Sequence, residues 1–148
     1  MTISQYISKK NAIQLFTAFA ALFSGGFVYL TYRSEQIVLH HAIKGIGLGE
    51  TVHSWRQSVT FVPSDWIVYC LPDALWSAAY ILVTDTILNA NSIKTRLAVA
   101  AVIPFVGVAS ELLQAADLMP GTFDYFDILA YAIPYILYAL IITKTTKK

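Results

Sequence analysis

The sequence predicts an all-α, four-helix transmembrane bundle, and three observations carry that prediction. Apolar stretches at residues 12–32, 66–88, 97–114 and 126–143 are each close to the roughly 20 residues a helix needs to cross a hydrocarbon core. Of 148 residues, 57% are hydrophobic and 13% charged, against about 25% charged in soluble domains. The carboxylates that fall in or beside the stretches (Asp73, Asp85, Glu111 and Asp127) sit near their edges, where a charge costs less than at the centre. The chain reads as one integral membrane domain, residues 1–148.

The first span follows Lys9 and Lys10 and is longer than the apolar core of a signal peptide, so it reads as an uncleaved helix. Its Ala21, Ser24, Gly25 and Gly26 would let a neighbouring helix approach closely. The connection to the second span is long. Residues 34–44 suit a continued or interfacial helix, Gly45, Gly47 and Gly49 break it, and a second helical segment follows at residues 50–55. His53 and Arg56 share a face there, most simply as an exposed interfacial pair.

Trp66 is an interface anchor for the second span, and Pro72 predicts a kink just before Asp73. Trp76 and Tyr80 follow Asp73 on its face, whereas Asp85 is expected to meet the water layer or pair with Lys94 or Arg96. In the third span, Pro104 and Gly107 predict a bend, and Glu111 and Gln114 point one way. Pro120-Gly121 marks a turn, and Asp124 has the chemistry of an N-cap for the fourth span. Tyr131, Tyr135 and Tyr138 form a helical stripe read chiefly as packing. Cys70, the single cysteine, reads as a small buried apolar residue.

Basic residues orient the bundle. Lys9, Lys10, Lys94, Arg96, Lys144, Lys147 and Lys148, seven of the ten, fall on one side of a four-helix crossing. The positive-inside rule then places both termini in the cytoplasm, with the long loop outside. The acidic residues, Asp85 excepted, fall on or near the opposite face, which marks it as the working face. A formal net charge of +1 and the lack of a Lys/Arg block exclude a general nucleic-acid binder.

The chemistry concentrates in Glu111-x-x-Gln114, then Pro120-Gly121-x-x-Asp124-x-x-Asp127-Ile128, with Asp73 at the start of the preceding span. Four acidic groups are thereby delivered to one depth by three helices. Together they require a cation, an amine or shared protons. Arg56 is the candidate counter-charge. No cofactor or metal is expected, although oxygen ligands of this kind would suit Mg²⁺ or Ca²⁺.

This arrangement resembles the VanZ-like family of small bacterial membrane proteins, over about residues 65–143. It is similar in the Glu-x-x-Gln, the Gly-containing turn, the D-x-x-D opening of the last span and the second-span Asp. Ala74, Leu75 and Trp76 stand where members often carry Lys and His, so the chain looks like a divergent branch. The resemblance implies a polytopic protein of the bacterial inner membrane, of the class linked to glycopeptide (teicoplanin-type) resistance. The expected role is an outer-face site made of Glu111, Gln114, Asp124, Asp127, Asp73 and Arg56, binding a cell-wall precursor, a phospholipid head group or a glycopeptide. The alternative is a membrane-embedded enzyme acting on a lipid-linked substrate, with carboxylates as metal ligands or general base.

Overall fold

A computed structural model describes residues 9–35 and 38–145. Gln36 and Ile37 of the expected loop helix, and Lys147 and Lys148 of the charge count, lie outside the described residues. The chain is all-helical, with 79% helix and no strand among the described residues. Among the described residues eight helices follow one another: α1 (Lys9–Tyr32), α2 (Val38–Gly45), α3 (Gly49–Ser58), α4 (Asp65–Tyr69), α5 (Leu71–Ile87), α6 (Ile93–Ala100), α7 (Val102–Ala115) and α8 (Tyr125–Thr145). Four units among the described residues are long and apolar enough to cross a membrane: α1, α4–α5, α6–α7 and α8.

Proline divides two of the four. Pro72 has no N–H to give to the turn before it, and the second span breaks at Cys70 into α4 and α5. Pro104 does the same to the third span, which breaks at Ala101. The third span also starts earlier than its apolar run. Ser92 accepts the Thr95 N–H at 3.2 Å, so Lys94 and Arg96 belong to the first turn of α6 rather than to a loop.

The helices pack in series, α1 on α5, α5 on α8 and α8 on α7, and the α4–α5 span is the most buried of the four. Small residues set the spacing. A Cβ at Gly25 would lie 2.7 Å from Trp76 Nε1, and one at Gly107 would lie 2.5 Å from the Tyr131 ring. Gly26 faces open space. Away from these contacts the surface is greasy: Phe16, Phe19, Phe23 and Phe27 on α1 are all more than half exposed, as suits lipid.

The long connection folds back on α1. Gly47, at φ +82°, turns the chain between α2 and α3. On α3, Trp55 sets its ring edge-on to Phe27 at 5.6 Å, and Arg56 Nη1 donates to the Leu30 carbonyl at 3.2 Å.

At the end of the bundle that carries the start of α1 and the end of α8, one carboxylate joins four elements. Asp85 of α5 is 4% exposed. It accepts hydrogen bonds from Gln14 of α1, from Nε and Nη2 of Arg96 on α6, and from the Tyr138 hydroxyl on α8. Pairing with Arg96 agrees with expectation; the water layer does not, because α1 and α8 close over the carboxylate. Of the tyrosine stripe, Tyr138 is consumed here and Tyr135 reaches the Leu97 carbonyl at 3.4 Å.

Replacing Asp85 by Ala leaves the partly buried Arg96 without its anion and should cost about 3 kcal/mol, read as a lowered thermal midpoint in detergent. Gly107→Ala must displace the Tyr131 ring and should cost about 1–3 kcal/mol. Gly26→Ala, in open space, should be neutral or slightly stabilising in the same melt.

Candidate functional site

At the opposite end of the bundle, three spans and a turn deliver the acidic residues to one cavity of about 530 Å³. Asp73 comes from the first turn of α5, and Glu111 and Gln114 come from the last turns of α7. Asp124 and Asp127 come from the start of α8. All five line the cavity, together with Tyr29, Tyr69, Trp76 and Tyr131.

Glu111 is the most buried carboxylate of this cavity, 6% exposed. Its Oε2 accepts the Asp124 backbone N–H at 3.1 Å, and its Oε1 faces Gln114 Nε2 at 3.5 Å. Gln114 in turn lies against the turn before α8. Gly121 there has φ +142°, and a Cβ on it would fall 2.6 Å from the Gln114 amide. Asp124 is also the N-cap expected of it, with Oδ1 accepting the Phe126 N–H at 2.8 Å.

Helix ends explain how so much negative charge is held together. Asp73 and Asp127 sit in the first turns of α5 and α8, and Asp124 caps α8, so all three meet the positive ends of helix dipoles. Glu111 lies near the unfavourable end of α7, and the Asp124 N–H compensates it. One oxygen remains unsatisfied: Asp127 Oδ1 is buried and has no hydrogen-bond partner.

The cation in this cavity is Arg33, immediately after α1. Its guanidinium lies 5.2 Å from the Tyr29 ring centroid and 4.7 Å from that of Tyr69, and Nη2 donates to the Tyr69 carbonyl at 3.2 Å. The formal balance of four carboxylates and one guanidinium is −3.

Arg56 is not brought to the carboxylates. It sits in a separate cluster, with Nη1 2.8 Å from His40 Nε2 and Nε 3.9 Å from Glu35. His53 meets the same Glu35 at 3.1 Å, so the shared face of His53 and Arg56 is real, and its target is Glu35. Spacing could not separate Arg33 from Arg56, since both flank the same side; the fold-back of α2 and α3 decides it. A usable signal was Tyr29, one helical turn before Arg33.

Cys70 is buried as expected, but its neighbours are acidic. Its Sγ and carboxylate oxygens of Asp124 and Asp127 lie within 4.8 Å of one another, the one such grouping found among the described residues. These three could hold a metal ion, and a set containing a thiolate favours zinc over magnesium or calcium. Ser110 is not poised as a nucleophile, because its hydroxyl donates to the Gly107 carbonyl at 2.7 Å.

Chemically, the cavity suits a small cation or an ammonium group. The four carboxylates would take its N–H donors, and aromatic faces would take its charge. Arg33 adds a place for an anion beside it.

The loop cluster has its own acid-base character. Burial, then the Arg56 charge, holds the His40 imidazole below its ordinary 6.5, because the neutral ring must accept from Arg56. Glu35 is held below its ordinary 4.5, first by its hydrogen bond to His53. The unfolded segment therefore binds more protons than the docked one as the pH drops past about 6.5, and docking weakens on acidification; the Glu35 contribution is lost only at lower pH. Amide exchange in α2 and α3, corrected for intrinsic rates, should accelerate between about pH 7.5 and pH 5.5, and His40→Gln should flatten that dependence.

No family model, curated protein or solved structure matches this chain.

Proposed function

We propose that the chain is a VanZ-like multi-pass protein of the bacterial inner membrane, with both termini cytoplasmic and the acidic cavity at the outer face. In this reading the cavity binds the amine-bearing polar part of an envelope molecule. The supporting observation is the convergence of Asp73, Glu111, Asp124 and Asp127 on one aromatic-walled cavity that holds a single guanidinium. An ammonium group would dock among the carboxylates while Arg33 takes a neighbouring phosphate or carboxylate. Phosphatidylethanolamine, a lipid-linked cell-wall precursor with a free amine and an amino-sugar glycopeptide share that chemistry. The positive-inside asymmetry supports the orientation.

A second reading draws on Cys70, Asp124 and Asp127. With a cation bound there, the same cavity would act on a lipid-linked phosphate as a membrane enzyme. That reading expects turnover of such a lipid that EDTA abolishes.

For the binding role, each of the three amine sources is titrated against its N-acetyl derivative on purified protein, with Trp76 fluorescence as the readout. The free amine of the true ligand class should bind at least tenfold more tightly, and Glu111→Gln or Asp73→Asn should weaken it by about tenfold to a hundredfold. Equal affinity for all amines and their acetylated forms would exclude the proposed recognition.

A further inference from the structure

A second cavity, of about 450 Å³, opens at the other end of the bundle, between α1, α5 and α8. Its wall is aliphatic, with Leu82, Leu137 and Ile141 among its lining. Its polar groups are of a different kind from those of the acidic cavity. Asp85 lines it together with its partners Gln14, Arg96 and Tyr138, and Lys10 lines it as well. Lys10 is exposed, and no carboxylate pairs with it among the described residues.

The charge around this cavity is one-sided. Lys9 and Lys10 begin α1, Lys94 and Arg96 lie in the first turn of α6, and Lys144 lies in the last turn of α8. These ends meet at the level of Asp85, the one acidic residue there, and its charge is already taken by Arg96. An aliphatic trough that opens beside unpaired ammonium groups, at the end of a membrane-crossing helix, matches an anionic amphiphile in both of its parts. The trough takes an acyl chain, and the lysines take a phosphate.

We infer that this cavity is a binding site for an anionic phospholipid of the leaflet on the side of the chain termini, with one acyl chain along Leu82, Leu137 and Ile141 and the phosphate at Lys10. Charge complementarity selects this occupant over a zwitterionic lipid. Each basic residue near an anionic head group contributes a factor of about five in affinity. The site is independent of the amine recognition proposed for the acidic cavity, since it shares no residue with it.

The test is native mass spectrometry of the detergent-purified full chain, titrated with phosphatidylglycerol and phosphatidylcholine of the same acyl composition. Phosphatidylglycerol should bind about tenfold more tightly. Lys10→Glu, a change at an exposed position, should remove that preference. Leu137→Trp, which fills the trough from a half-exposed position, should reduce binding of both lipids. Equal binding of the two lipids by the wild type would overturn the assignment. So would a preference that survives Lys10→Glu, or a Leu137→Trp protein that loses self-association rather than lipid.

Discussion

The bundle depends on a buried anion. Asp85 accepts from α1, α6 and α8 while standing on α5, so four elements are referenced to one point. Apolar contact between helices in lipid has little direction, because the lipid tails are as apolar as the helix faces. A carboxylate with three obligatory donors supplies that direction. It fixes how far α1 slides along α5 and how α8 rotates, and the tyrosine stripe on α8 follows from that rotation. Tyr138 is held at one end, Tyr135 is held in the middle, and Tyr131 reaches the cavity at the far end.

The acidic cavity inherits this geometry. Its width on one side is set by the contact of Gly107 with Tyr131, and its floor is set by the turn that presses Gly121 onto Gln114. Neither contact carries charge, yet both decide where charge sits. The cavity and the Asp85 cluster thus solve opposite problems. One collects donors around a single acid until it is neutralised; the other gathers acids and leaves most of their charge unmatched by protein.

Much of the fold was legible in the sequence, because each span is written in one continuous stretch. The four apolar runs coincide with the four helical units to within a few residues, and the breaks at Cys70 and Ala101 fall two and three residues before the prolines that cause them. Glu111 with Gln114 and Asp124 with Asp127 were legible for the same reason, since spacing along one helix fixes which side chains share a face. Asp85 was not legible in this way. Its burial comes from Gln14 and Tyr138, which lie far from it in the chain and become its neighbours only when α1 and α8 pack on α5. Arg56 was expected as the counter-charge and Arg33 lines the cavity instead, because the destination of each depends on the path of a glycine-hinged loop.

The interruption at Cys70 reaches further than the backbone. With the helix broken there, the Tyr69 carbonyl is engaged by the Arg33 side chain. The break ahead of Pro72 thereby leaves that carbonyl to hold Arg33, the one guanidinium that lines the acidic cavity among the described residues. Restoring an unbroken rod at that place would return the carbonyl to its own helix. Arg33 would be free to swing out toward the lipid phosphates, and the four acids would lose the one guanidinium that shares their cavity.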